Sequence, residues 1–349
     1  VITRNSASKE WLDTVMKSYK KNDPGIVAKT IMALTLLEQL SVEGLDFIFK
    51  GGTSLMLLLD SYNRFSLDID ILLPDKPKNL EDIFHRICKK GIFKSWFEDE
   101  RKTPSDVPKA HYGFVRESVL DGRERAVFLD ILYQEVGTRS LLKVPVKHRV
   151  IETAPPDVLV TIQTLDALLG DKLTAFAPNT TGIPYGTGKE AEIIKQLFDL
   201  GVLFDNLADL DEVRKSFVQN CMFELGYRKL DLSEVDVLND CFDTAITLAY
   251  RGAYKREQFS YLMTGIKAFK AFSFNSSYSL EDAIRSSAKV AYLVQLLKAN
   301  KGRHEKFRET IDLRDINITN QSWSKLNKLK KTDPEAFFYL FNALKLIDQ

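Results

Sequence analysis

Apolar residues recur at helical spacing from the start of the chain. Trp11, Leu12, Val15, Met16 and Tyr19 fall on one side of residues 9–21, which predicts a helix. Asp23-Pro24 then opens a second helix, with Asp as N-cap and Pro in the first turn, running to about Leu40. The pattern shortens at Leu45 to Phe49, an apolar run that reads as a strand and ends in Lys50-Gly51-Gly52-Thr53-Ser54. The Leu-rich stretch 55–59 reads as a helix opening on that glycine turn. Residues 67–73 (LDIDILL) alternate, predicting a strand with Asp68 and Asp70 on one face and Leu67, Ile69 and Ile71 on the other. Residues 78–90 read as an amphipathic helix, followed by β-like runs at 94–100, 110–119, 125–133 and 141–150. From Pro156 onward the helical period takes over, at 157–176, 189–204, 208–223, 235–252, 256–272 and 278–299, then a tail to 349. A glycine-rich loop, 178–188, interrupts this half early.

The order of elements implies an α+β core on a mixed sheet over residues 1–155, followed by a helical domain over 156–349. A length of 349 residues suits two domains, each large enough for its own core. The 44% hydrophobic and 28% charged content, with a net charge of +1, excludes a disordered chain. With 17 Gly and 11 Pro the chain is not collagen-like or of low complexity, and no repeat stands out at solenoid periods. Cys88, Cys221 and Cys241 are far apart and read as reduced thiols, Cys88 as packing on its helix. The four histidines show no zinc-ligand spacing. His111 and His148 have no acid or thiol partner at catalytic spacing and read as surface or strand histidines. The apolar run Ser54 to Leu59 falls far short of the ~20 residues of a membrane span. The opening VITRNSASKEW has no apolar signal-peptide region, so the expected location is cytoplasmic, away from membranes.

The chemistry concentrates in residues 49–73. A Gly-Gly turn lets a phosphate approach the backbone closely, and the N–H groups of a helix start attract anions. Carboxylates at i and i+2 on a strand come within reach of one divalent cation. Asp68 and Asp70 lie in an otherwise apolar stretch, where charge is costly without a partner. Asp130 repeats the situation in Val127-Phe128-Leu129-Asp130-Ile131-Leu132. Three carboxylates from two strands suit a pair of Mg²⁺ ions ~3.5–4 Å apart, the apparatus of phosphoryl or nucleotidyl transfer.

Lys50-Gly51-Gly52-Thr53-Ser54-Leu55, followed by Arg64-Phe65-Ser66-Leu67-Asp68-Ile69-Asp70, resembles the signature of the AbiEii toxin family. These are nucleotidyltransferases with a DNA-polymerase-β-like core, a group that includes the MenT toxins. The wider superfamily pattern is Gly-Ser, a spacer, then Asp-x-Asp. Here Gly52-Thr53-Ser54 stands in for Gly-Ser with a somewhat long spacer, leaving either Thr53 or Ser54 as the phosphate contact. The strand around Asp130 is similar to that of the superfamily's third carboxylate. Leu169-Gly170-Asp171-Lys172-Leu173-Thr174-Ala175-Phe176 resembles the family's lysine-bearing helix. Lys195-Gln196-Leu197-Phe198-Asp199-Leu200 resembles its Asp-containing helix. Relatives carry Arg-Asp where Lys195-Gln196 stands, and Asp199 is the residue carried over. The resemblance spans about residues 25–205.

The resemblance implies catalytic roles for Asp68, Asp70, Asp130 and Lys172, with the three aspartates binding two Mg²⁺ ions. It implies NTP binding by Lys50, Gly51, Gly52, Thr53, Ser54, Arg64, Ser66 and Asp199. It further implies a helical half that closes the cleft, a tRNA 3′ end as acceptor, and a role as the toxin of a bacterial toxin–antitoxin or phage-defence pair with a cognate antitoxin. On residue type alone, Lys172 suits a triphosphate but equally a solvated helix position, and Asp199 could position Lys172 or the base. Arg64 could hold a phosphate or pair with Asp60. Gly186-Thr187-Gly188-Lys189 is not a P-loop, because Ile183 stands where its first glycine belongs and Glu190 where Mg²⁺ needs Ser or Thr. Loop 178–190 reads instead as a mobile flap between the two halves. Residues 300–331 carry nine Lys or Arg against four Asp or Glu, a surface suited to RNA or a solvated tail. Two other classes stay open: a small-molecule nucleotidyltransferase sharing the core, and a catalytically silent interaction module.

Overall fold

The computed structural model describes residues 1–100, 107–135, 137 and 140–347. They fall into two compact units, one of residues 1–164 with 271–277, the other of 165–270 and 278 onward.

The first unit opens with α1 (Lys9–Met16), where the Ser8 side chain accepts from the Trp11 N–H. In α2 (Pro24–Val42), Asp23 caps the start by accepting from the Gly25 N–H, with Pro in the first turn. By length and composition α2 is apolar enough to cross a membrane, at a mean hydropathy of 1.4, although polar residues interrupt its apolar run. Its Val27, Ile31, Leu34, Leu37 and Leu40 instead belong to the unit's core, and 67% of the apolar window is buried.

The chain continues through β1 (Ile48–Lys50), α3 (Gly51–Leu58), β2 (Ile69–Leu73), α4 (Leu80–Lys89), β3 (Ser95–Glu98), β4 (Lys109–Glu117), β5 (Glu124–Tyr133), β6 (Leu141–Pro145) and β7 (Leu159–Gln163). The strands form one sheet in the order β3-β4-β5-β2-β1-β7-β6. The β2/β5 and β1/β7 pairs are parallel and the rest antiparallel, giving the mixed sheet and α+β class expected. One face is apolar: Phe49, Ile69, Ile71, Leu129, Ile131, Tyr112 and Phe114 pack with α2 and with Ile83, Phe84 and Ile87 of α4. Phe84 meets Trp96, Tyr112 and Phe114 edge-on at 4.9–5.3 Å.

Three elements differ from the sequence reading. Helix α3 begins at Gly51 itself rather than at 55, because Gly51, at φ +77°, turns the chain directly from strand into helix. Strand β2 begins at Ile69, so Asp68 sits on the bend leading into it rather than inside it. The stretch expected as one helix over 157–176 is strand β7, then α5 (Leu165–Ala175). Strand β7 pairs parallel to β1 and buries Val160 and Ile162, and so the first unit runs past residue 155 to Thr164.

The second unit continues with α6 (Glu190–Asp205), α7 (Leu210–Arg228), α8 (Glu234–Ala249), α9 (Arg256–Phe269), α10 (Leu280–Lys298), α11 (Leu329–Thr332) and α12 (Pro334–Ile347). Ser233 with Asp236, and Ser279 with Asp282, form capping boxes. Gly170 lets α5 and α7 approach closely, since a Cβ there would stand 2.4 Å from the Val213 carbonyl oxygen. The glycine-rich loop after α5, read above as a flap, is anchored. Asp240 accepts from the Asn179 backbone and side-chain amides and from the Thr180 hydroxyl, while Tyr185 bonds Thr244.

Candidate active site

The glycine turn is shaped by the charged side chains pressed against it. A Cβ on Gly51 would stand 2.1 Å from Asp70 Oδ2, and one on Gly52 2.1 Å from Arg64 Nη2. Only glycine leaves room for either contact. Thr53 and Ser54 are fully buried. The Thr53 hydroxyl donates to the Asp68 carbonyl at 2.7 Å, and the Ser54 hydroxyl to the Gly51 carbonyl at 2.7 Å. The first bond ties the helix start to the backbone that carries the first aspartate. Arg64 is buried, donates to the Phe65 carbonyl at 3.0 Å and lies 5.5 Å from the Tyr62 ring centroid. Ser66 is half-buried, and its carbonyl accepts from the Thr30 hydroxyl at 3.1 Å.

On the sheet face opposite the apolar core, register gathers a charged row. Lys50 is opposite Asp70, Asp70 beside Asp130, and Asp130 opposite His111, across β1, β2, β5 and β4. Partners in register point to the same face, so these four side chains share one surface. Alternation along β5 places Phe128 on that face too, and Lys29 of α2 connects it to the remaining aspartate. The Lys29 ammonium lies 5.4 Å from the Phe128 ring centroid and 3.2 Å from Asp68 Oδ1. All three aspartates named from the sequence therefore stand around one face of β2 and β5.

Two groups at this face escape the sequence reading. His111 Nδ1 lies 2.7 Å from Asp130 Oδ1, so the absence of an acid partner inferred from spacing is corrected. The two residues are 19 apart and meet only through the β4/β5 register. Lys29 lies outside every motif, and its apolar helix gives no sign that it reaches Asp68.

Lys172 and Asp199 lie in the second unit, on α5 and α6. Their side chains are almost completely buried and pair at 2.7 Å, and Lys172 also donates to Gln196 Oε1 at 3.2 Å. Of the two partners considered for Asp199, the structure joins it to Lys172.

Among the described residues, no three His, Cys, Asp or Glu side chains are gathered tightly enough to hold a metal ion as they stand. Asp68 is engaged by Lys29 and Asp130 by His111. The donor set nonetheless suits a hard cation. It consists of carboxylate oxygens, two of them on adjacent residues of neighbouring strands, and exchange of Lys29 would release Asp68.

A sequence model of the family described as nucleotidyl transferase AbiEii toxin, type IV TA system, matches residues 35–269. The chain belongs to the AbiEii family. It is thus a nucleotidyltransferase of the toxin class in type IV toxin–antitoxin systems, with a nucleotide substrate and an antitoxin counterpart. The AbiEii match takes in the glycine turn, the three aspartates, His111, Lys172 and Asp199, and leaves out Lys29. Among solved structures, this AbiEii protein is similar to JHP933 from Helicobacter pylori, at 15% identity and TM-score 0.44 over 82% of this chain and 93% of that one. It is also similar to an H. pylori protein described as a candidate nucleotidyltransferase, at 17% identity and TM-score 0.44 over 80% and 97%. No curated protein matches the chain in sequence.

Proposed function

We propose that this AbiEii enzyme transfers a nucleoside monophosphate from an NTP to a hydroxyl of RNA, with a tRNA 3′ end as acceptor, in a Mg²⁺-dependent reaction. The observation that carries the reading is the juxtaposition of Asp70 and Asp130 in register, beside Asp68 and the glycine turn. Asp68, Asp70 and Asp130 would hold the Mg²⁺ ions, which when bound neutralise phosphate charge and lower the pKa of the acceptor hydroxyl.

The backbone N–H groups opening α3 receive the triphosphate, at the turn where Gly51 and Gly52 admit the Asp70 and Arg64 side chains. Thr53 fixes that turn to the Asp68 backbone, and Lys50 and Arg64 supply positive charge beside it. Asp130 stands on the acceptor side and orients the attacking hydroxyl. The acceptor oxygen bonds to the α-phosphorus, the bond to the β-phosphate oxygen breaks, pyrophosphate leaves, and the hydroxyl proton passes to solvent. For Lys172, paired with Asp199, the family resemblance is what supports a role toward phosphate charge. RNA as acceptor is supported by the toxin class and by exposed Lys301, Arg303, Arg308, Lys325, Lys328 and Lys331.

Incubation with each labelled NTP, Mg²⁺ and total bacterial RNA tests the reading. Label should enter RNA with one NTP and disappear in Asp68→Asn and Asp70→Asn, each of which removes one negative charge at little change in volume. These variants should melt within a few degrees of the parent. Undiminished labelling by either folded variant would refute the assignment.

A further inference from the structure

Asp70 and Asp130 are neighbours of like charge on adjacent strands, an arrangement that costs free energy unless each carboxylate is compensated. The charged row compensates both from the outside, with Lys50 next to Asp70 and His111 next to Asp130. The two contacts differ in kind. Lysine is a mobile point charge, whereas the imidazole is a rigid ring carried near the start of a paired strand. The His111 side chain is 12% exposed and that of Asp130 is 29% exposed, so the bond is shielded while the carboxylate keeps an open side. An ionised carboxylate only accepts, so Nδ1 carries the proton that faces it.

We propose that His111 is a positioning residue for Asp130, donating its Nδ1–H to Oδ1 and so fixing the direction in which the second carboxylate oxygen faces the reaction centre. The inference rests on the acceptor-side role given to Asp130 above. A histidine that orients a ligating carboxylate acts through that ligand, and loss of such a partner typically costs ~10–100-fold in metal affinity or activity.

The test uses the full chain with His111→Ala, His111→Asn and His111→Gln. Asn places its amide near the position of Nδ1, whereas Gln places it near Nε2. Three quantities are read: single-turnover labelling of total bacterial RNA, Mn²⁺ binding followed by the EPR signal of free Mn²⁺, and the affinity for the Mg-NTP. His111→Ala should lower the rate and the Mn²⁺ affinity ~10–100-fold while changing NTP affinity less than about twofold. His111→Asn should recover most of both losses, and His111→Gln should not. A folded His111→Ala protein with parental rate and Mn²⁺ binding overturns the proposal. So does a folded His111→Asn protein as impaired as His111→Ala. If His111→Ala does not fold, Asn against Gln decides, and equal rates for these two overturn it. Asp130→Asn separates the two levels: full labelling by that variant removes Asp130 from the mechanism, whereas its inactivity beside a fully active His111→Ala refutes only the role of His111.

Discussion

At the scale of single residues, the site is a set of charges that the backbone alone would not tolerate and that neighbours make affordable. Lys172 and Asp199 are the extreme case, since both side chains are almost completely buried. Removing one partner of a buried pair leaves an uncompensated charge and typically costs ~3–5 kcal/mol. Lys172→Met should therefore lower the melting temperature markedly and abolish transfer. Adding Asp199→Asn removes the stranded charge and should restore much of the stability without restoring transfer, which separates the structural from the chemical role. Thermal melts and single-turnover labelling read the two effects. A Lys172→Met protein that melts and transfers like the parent would show that neither applies. The glycine turn, Asp68, Asp70 and Asp130 could be named from the sequence because each residue type is unusual where it stands, a carboxylate among Ile and Leu or paired glycines at a strand end, whereas Lys172 and Asp199 were named only through the family resemblance. Lys29 and His111 were not legible. A lysine on a helix and a histidine in a strand are unremarkable until the tertiary contacts and the β4/β5 register are known.

Among the elements, strands with alternating patterns and helices with caps were readable, and β7 was not. Val160-Thr161-Ile162-Gln163 alternates over only four residues and runs straight into Leu165, Leu168 and Leu169, whose helical spacing masks the strand. The connection from β6 to β7 depends on a neutral histidine. The Val150 N–H donates to His148 Nδ1 at 3.3 Å, which requires an unprotonated nitrogen. Burial, with a smaller contribution from the Arg149 guanidinium, pushes the His148 imidazole down to about 4. The unfolded chain takes up this proton near pH ~6.5, before the folded one does. The contribution to stability is thus complete above pH ~6.5, is lost as the pH falls toward about 4, and changes no further below that. The loss amounts to at most about 3 kcal/mol. In His148→Asn, where an amide oxygen takes over the acceptor role, the melting temperature should fall less between pH 7 and 4.5 than in the parent. Identical pH profiles for the two proteins would rule out His148 as the source.

For the molecule as a whole, the first unit is not continuous in sequence. The chain leaves it after Thr164 and returns for residues 271–277, and this short return braces the approach to the aspartates. The Phe65 N–H donates to the Phe272 carbonyl at 2.8 Å, the Phe274 N–H to the Asn63 carbonyl at 3.0 Å, and Arg64 forms a β-bridge with Ser273. Asn22 clamps the return from the other side, donating to the Ser273 carbonyl at 2.8 Å and accepting from the Asn275 N–H at 2.7 Å. The Phe274 ring closes the arrangement, 4.5 Å from Phe65 and 4.8 Å from Tyr19 between centroids. Residues 63–66 thus take their conformation from a strap far along the chain, and Arg64 and Asp68 depend on that conformation for their places beside the glycine turn. Phe274→Ala in the full chain should cost ~3–5 kcal/mol, the usual range for emptying a buried aromatic position. If the strap acts as a brace, the damage should also spread beyond the cavity, with the Phe65 amide exchanging hydrogen faster while amides of β4 and β5 keep their relative protection. Transfer should fall more than the population of folded protein does, because the approach to Asp68 loosens before the unit unfolds. Hydrogen exchange read by mass spectrometry on peptides covering 60–68 and 109–133 checks this directly. Uniform acceleration in both peptides would mean that Phe274 supports global stability alone and that the strap does not hold the site.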